Sequence, residues 1–189
     1  MTTKSANRQL QLNFPVIDGG KVVARFAEQK DLERIVNMIN TEVVRSGALA
    51  PVSKDRVLPW ILNRTSMVAV EALEGTIIGH MAVDRWEGCW EIRSVVVDDG
   101  FKGRGVYAKL TNAVISALFD MDPSTPIFEI KNDKSNGFHL IEELGFRKVD
   151  ISEALNLGVK LKKPADWSAF KLTCDDYHKR LALCAMLRK

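Results

Sequence analysis

Residues 90–132 narrow the fold more than any other stretch: WEIRSVVVDDGFKGRGVYAKLTNAVISALFDMDPSTPIFEIKN. An apolar strand-like run ends in a turn that holds Gly103 and Gly105. A helix pattern follows, with Leu110, Val114, Ile115 and Leu118 along one side, and PIFEIKN returns as a strand. Upstream, MVAVEAL and TIIGHMAVDRW are separated by Glu74-Gly75, and Glu87-Gly88 leads into CWEIRSVVV, so three adjacent antiparallel strands precede the crossover. Hairpins followed by a strand–helix–strand crossover imply an α+β (mixed α/β) domain. Its central sheet is mixed but mostly antiparallel, has about seven strands, and carries helices on both faces.

The remaining segments fit around that unit. KVVARFA reads as a strand, and KDLERIVNMINTEVV places Leu32, Ile35, Val36, Ile39 and Val43 on one helical side. The loop SGALAPVS leads to a second helix, SKDRVLPWILNRT, with Ser53 as its N-cap and Pro59 within it. After the crossover come the helix KSNGFHLIEEL closed by Gly145, the strand FRKVD, a loop over 151–166 and the strand WSAFKLT. A terminal helix, TCDDYHKRLALCAMLRK, starts at Thr173 and Asp176. Residues 1–20 are polar, end in Asp18-Gly19-Gly20 and read as a flexible arm. The expected organisation is that arm, a domain over 21–173, and a helix over 174–189 that packs on the domain or on a dimer partner.

Composition removes several function classes. A chain of 189 residues with 46% apolar and 27% charged residues buries a core and is neither disordered nor fibrous. Its apolar runs fall short of the roughly 20 residues that cross a bilayer, and no secretory signal opens it, so no membrane partner is expected. A net charge of +3 is too balanced for a nucleic-acid partner. Cys89, Cys174 and Cys184 are odd in number and lack CxxC spacing, which favours reduced thiols in a cytoplasm. Cys89, beside Trp90, reads as packed rather than nucleophilic. His80, His139 and His178 lack ligand spacing, so no metal is expected.

A Gly-x-Gly pair is by itself as readily a plain turn, since glycine tolerates positive φ. Between an apolar strand and an amphipathic helix it offers more. The amides of residues 103–107 then point outward from a helix N-terminus, where unpaired N–H groups and the dipole attract an anion. Lys102 and Arg104 either add charge there or are simply solvated. Gly103, Gly105 and Ala108 also satisfy G-x-G-x-x-A. However, five residues, Asp98 to Lys102, separate Val97 from the first glycine, and the strand follows hairpins, so the dinucleotide reading is set aside.

Lys102–Tyr107, KGRGVY, is similar to the Arg/Gln-x-x-Gly-x-Gly/Ala pattern between the fourth strand and third helix of the GNAT superfamily, the GCN-five-related N-acetyltransferases. Gly105 matches the central glycine, Lys102 keeps a basic first position, and Tyr107 departs from the small last one. EIKNDKSNGFHLIEELGF resembles a second signature of that family through Gly145 and Phe146, and ARFAEQKDLERIVNMI resembles its first strand and helix. The resemblance spans residues 21–150. It implies the GNAT fold and transfer of an acetyl group from acetyl-CoA, as co-substrate, to a primary amine of a small molecule or peptide by direct attack in a ternary complex. It further implies that amides of Gly103, Arg104, Gly105, Val106 and Tyr107, with Lys102, hold the pyrophosphate. Backbone groups of Val95, Val96 and Val97 would hold the pantetheine and polarise the thioester. Asn132 and Asn136, flanking Lys134, and Ser135 either contact the pantetheine or cap and turn the chain.

Glu91 stands eleven residues before Lys102, an offset at which some family members carry a catalytic glutamate. It is the candidate base for an amine nucleophile, or else a carboxylate paired with Arg93. The family's leaving-group tyrosine falls on Ile141, so the acid is missing or comes from elsewhere. A non-catalytic acyl-CoA-binding regulatory module and transfer of a longer acyl group therefore stand as alternatives. SGALAPVSKDRV faintly resembles a loop of N-acetylglutamate synthase domains through Ser53, which suggests an amino-acid acceptor. Arg45, Lys54 and Arg56 would receive its carboxylate, or are solvated. Trp60, Trp86 and Trp90 line an acceptor pocket or pack. The face bearing Tyr177, Leu181, Cys184 and Arg188 packs on its own domain or forms a homodimer. Tyr107 either turns away and leaves its amide to bind, or lies across the cradle.

Overall fold

A computed structural model of the chain describes residues 12–15, 21–132, 138–161 and 166–186. The strands are β1 Leu12–Pro15, β2 Lys21–Phe26, β3 Ser66–Glu71, β4 Ile77–Arg85, β5 Trp90–Val97, β6 Ile127–Asn132, β7 Arg147–Val149 and β8 Trp167–Leu172. The helices are α1 Leu32–Ser46, α2 Lys54–Leu62, α3 Val106–Met121, α4 Phe138–Glu143, α5 Ile151–Asn156 and α6 Cys174–Met186. One sheet takes all eight strands in the order β1-β2-β3-β4-β5-β6-β8-β7. Every neighbouring pair is antiparallel except β5 and β6, which the α3 crossover makes parallel.

Alternation along the strands divides the core between two faces. Met67, Ala69 and Ile92 turn toward α3, where they pack with Leu110, Val114 and Ile115, with Ile141 of α4 and Tyr177 of α6. Val68, Ala82 and Val96 turn the other way, onto Ile35 and Ile39 of α1 and Val57 and Trp60 of α2. Phe128 and Ile130 of β6 share that second side and are covered by Ala154 of α5 and Val159.

The expected elements are present, and two more appear. Residues 12–15 lie in the segment expected to be a flexible arm, yet they pair with Lys21–Ala24 as an eighth strand at the sheet's edge. An edge is where Pro15, which has no N–H to donate, fits. The 151–166 segment, expected as a loop, contains α5. Asp150 caps it by accepting from the Ser152 amide at 2.8 Å. Helix α2 continues through Pro59; Asp55 and Pro59 are both exposed, so the carbonyl that loses its partner faces water. Helix α6 is held by Tyr177 against Phe119, ring centroids 5.7 Å apart, and by Arg180, which donates to the Glu143 carbonyl and to Asn112. Leu181, Leu183 and Met186 remain exposed on it. Among the described residues, no helix is long and apolar enough to cross a membrane.

Candidate functional site

The two parallel strands part soon after they meet. Strand β5 pairs with β6 only at Trp90↔Ile127, Glu91↔Phe128 and Ile92↔Glu129, while β6 runs on to Asn132 paired with β8. The splay opens a cleft of about 870 Å³, lined by Ile92–Val97 of β5, by Glu129–Asn132 of β6, by the glycine turn and the first turn of α3, and by His139 and Leu140 of α4.

Strand β5 is deformed where it leaves β6. Ala82 faces Arg93 and His80 faces Val96, so Met81 alone faces both Ser94 and Val95. Ser94 takes φ 51, in the left-handed region that costs a non-glycine residue of order 1–3 kcal/mol. The bulge turns the β5 backbone at Ser94–Val95 into the cleft. Behind it, His80 is fully buried, with Nδ1 3.0 Å from the Ser94 carbonyl oxygen and Nε2 3.0 Å from Ser66 Oγ. Burial holds its pKa down at about 4, so the ring is neutral. A carbonyl only accepts, so Nδ1 carries the proton and Nε2 accepts from the Ser66 hydroxyl.

At the cleft's mouth, Gly103 and Gly105 have φ of 75 and 74, and nothing lies within 4 Å of where a Cβ on either would sit. Gly105 caps α3 without a side chain, so the first-turn amides receive no side-chain acceptor from that position. Arg34 reaches from α1 to Asp98 at 2.6 Å and braces the loop before the turn. Lys102 is committed to protein partners: its Nζ lies 3.0 Å from Glu42 and 2.7 Å from Asp99, carboxylates that Arg45 also joins. Arg104 stacks over the Phe101 ring, 5.3 Å from its centroid, and is absent from the cleft lining.

Tyr107 runs inward from the first turn of α3. Its hydroxyl donates to both Glu129 oxygens, at 2.9 and 2.8 Å, and Lys131 sits 4.9 Å over its ring and 3.5 Å from Glu129. Its ring therefore forms a wall of the cleft. Burial raises the Glu129 pKa, against the lowering effect of Lys131 and the Tyr107 hydroxyl. Burial first, and then Glu129, push the Tyr107 phenol upward, so the donor stays protonated.

The structure brings Val95, Val96, Val97, Lys102, Gly103, Gly105, Val106, Tyr107 and Asn132 to the cleft. Asn136, with Lys134 and Ser135, lies outside the described residues. Glu91 does not line the cleft. It points to the opposite face beside Ile92 and is 5% exposed; Trp86 Nε1 donates to it at 2.8 Å, and Arg93 lies 3.6 Å away. Burial raises its pKa, countered chiefly by Arg93. Arg93 also bonds Asp84, which accepts from Trp60 Nε1 at 2.8 Å and from Arg56. Ile141 is fully buried in the α3-side core, and Cys89 is buried with its thiol pushed up to about 11 by burial. Sequence reasoning missed Ser94, Glu129 and Lys131 as cleft residues. The lone acid in the apolar run IFEI was the signal for Glu129, whereas nothing in the sequence marks Ser94.

The model of the acetyltransferase (GNAT) family matches residues 26–146 of this chain. No curated protein matches it. Among solved structures, Rv2747 of Mycobacterium tuberculosis in complex with CoA is similar at TM-score 0.65 and 20% identity, over 80% of this chain and 98% of that one. YncA of Salmonella typhimurium with acetyl-CoA is similar at TM-score 0.63 and 21% identity, over 82% and 94%. N-acetylglutamate synthase of Neisseria gonorrhoeae, with coenzyme A and N-acetyl-glutamate, gives TM-score 0.63 and 16% identity over 79% of this chain and only 34% of that one.

Proposed function

The chain belongs to the acetyltransferase (GNAT) family and is an acyltransferase, and on that premise we propose that it transfers an acetyl group from acetyl-CoA to a primary amine of a small molecule or peptide by direct attack. One observation carries the reading: the glycine turn that caps α3 leads into a cleft walled by β5, whose backbone is bulged at Ser94–Val95 and no longer paired with β6 beyond Ile92. The residues present fit coenzyme A. Amides of Gly103 to Tyr107 hold the pyrophosphate, and β5 backbone at Val95 to Val97 holds the pantetheine. When bound, acetyl-CoA supplies the activated acyl group. The bulged β5 backbone aims fixed dipoles at the carbonyl oxygen where negative charge develops, an arrangement commonly worth a few kcal/mol. Lys102 positions the turn through Glu42 and Asp99, and Asn132 closes the pantetheine channel. Gonococcal N-acetylglutamate synthase, solved with N-acetyl-glutamate, supports an acceptor of amino-acid size.

Glu91 is the proposed base, acting through water from the face of β5 on which Trp86 and Arg93 hold it. Burial raises its pKa above the ordinary carboxylate value, the direction that makes a carboxylate a better proton acceptor. Glu91→Gln is expected to lower kcat by about a hundredfold and to remove the acidic limb of the pH–rate profile. An unchanged profile rejects the assignment. Because Ile141 is buried in the core, it leaves no acid on α4 at that position, and this favours one second reading, a non-catalytic acyl-CoA sensor. We place the protein in a cytoplasm, supported by its three free cysteines, with no nucleic-acid or membrane partner, and as a homodimer through the exposed apolar residues of α6.

Calorimetry with acetyl-CoA, followed by a thiol-release assay over an amine panel with acyl chain length varied, tests the proposal. Binding with amine-dependent thiol release is the expected result. Binding without release supports the sensor, release only with longer acyl donors supports the longer-chain alternative, and absence of binding rejects all three.

A further inference from the structure

His80 lies outside the cleft lining and takes no part in the function proposed above, yet it is one of the few fully buried polar side chains. Its two ring nitrogens have opposite duties. Nε2 is tied to Ser66 on β3, and Nδ1 donates to the carbonyl of Ser94, the residue at φ 51 on which the β5 bulge turns. By the alternation of β5, whose Trp90 amide bonds Pro126 on the β6 side, a regular strand would turn that carbonyl toward β6. With Ser94 in the left-handed region it turns toward β4 instead, and the imidazole takes it. Ser66 is itself fully buried, and the Trp60 ring stands 6.4 Å from the imidazole, so the ring has a packed seat and a set tautomer.

We infer that His80 is a positioning residue: by holding the Ser94 carbonyl, it fixes the bulge that aims the β5 backbone at the thioester carbonyl. The inference rests on the acetyl-transfer reading and adds to it the device that keeps a strained serine in place. A carbonyl held from behind orients the peptide plane that follows, and with it the next amide on the cleft side. If the tie is lost, the bulge relaxes toward a regular strand and the dipoles rotate away from the acyl group. Cofactor affinity then changes far less than kcat, because the pyrophosphate turn is built from a different segment and Val96 and Val97 stay paired with His80 and Gly79 beyond the bulge.

Two isosteres separate positioning from mere packing. The carboxamide of asparagine places an N–H near Nδ1, while that of glutamine reaches the Nε2 position. His80→Asn therefore keeps the donor to Ser94, and His80→Gln keeps the partner of Ser66 and abandons Ser94. The probe is acetyl-CoA labelled with carbon-13 at the thioester carbonyl, whose resonance moves downfield when the oxygen is polarised. The expected results are a downfield shift on binding to the wild-type protein, retained in His80→Asn and at least halved in His80→Gln. In the latter, kcat falls about tenfold or more while the KM for acetyl-CoA changes less than about threefold. Ser94→Gly in the His80→Gln background, which removes the strain, is expected to restore part of both. A shift and kcat that survive in His80→Gln, or that the two isosteres lose alike, overturn the inference alone. Absence of acetyl-CoA binding by the wild-type protein overturns the acetyl-transfer reading together with it.

Discussion

Gly105→Val is expected to weaken acetyl-CoA binding by about a hundredfold, roughly 2.7 kcal/mol, in calorimetry. Gly105 sits at φ 74 as the residue that opens α3, and a β-branched side chain is a steric outlier there. A Cβ at this site meets nothing within 4 Å, so no clash with the rest of the protein adds to the cost. The left-handed conformation itself costs an L-residue about 1–2 kcal/mol, which the turn avoids by rotating. Rotation tilts the first-turn amides of α3 and scatters the donors that the pyrophosphate needs. Destabilisation stays small, so Tm is expected to fall by only a few degrees, with the circular dichroism spectrum retained. A folded Gly105→Val protein that binds acetyl-CoA normally would remove the glycine turn from the site.

Tyr107→Phe is expected to destabilise the fold by about 2–3 kcal/mol, because a buried carboxylate loses its hydroxyl donor. For a domain of this size, Tm should fall by roughly 5–10 °C. The effect has a pH signature. Glu129 has a folded pKa above its ordinary value of 4.5, so between the two values the native state binds more protons than the unfolded chain. Its contribution to stability is therefore fully present below about 4.5 and is lost as pH rises through the folded value. Removing the hydroxyl takes away a lowering influence on Glu129, which widens that window. The deficit of Tyr107→Phe relative to the wild-type protein should be smallest near pH 4.5 and grow as pH rises through the folded value, and Glu129→Gln should flatten it. A deficit independent of pH would show that the hydroxyl only fills space. Tyr107→Gly is not expected to tighten acetyl-CoA binding, since the ring is anchored on β6 and does not lie loose across the turn.

How much of this could be read beforehand depended on the range of each interaction. Helix α3 keeps the bounds its pattern implies, Val106–Met121, because Gly105 and the periodic apolar side are local signals. Strand β1 was missed because LNFP has no face of its own; its hydrogen bonds come from β2. Helix α5 did announce itself, in Asp150 followed by Ser152 and Glu153, but six residues carry too little periodicity to outweigh a loop. In the site, the backbone of Val95 to Val97 and the glycine turn were legible, since both follow from strand and helix ends. The charge attributed to Lys102 was not free, because Glu42 reaches it from sixty residues away, across the fold. Tyr107 and Glu129 stand twenty-two residues apart and meet only once α3 lies across β6. The positive φ of Ser94 follows from a register shift between β4 and β5, which no residue type encodes.

The position of β8 has a consequence for how the chain is made. It is the last strand in sequence, yet it lies inside the sheet between β6 and β7, and β7 has no other strand partner among the described residues. On the ribosome, β2 to β5 can zip into hairpins in the order they emerge, each onto a strand already present. Strand β7 emerges before the strand it must pair with, and β6 waits with one edge bare. Closure of the sheet, and with it one wall of the cleft, comes only when residues 167–172 are inserted between two waiting strands. A nascent chain halted before that point presents two open edges, the kind of surface on which chaperones and unwanted strand pairing compete.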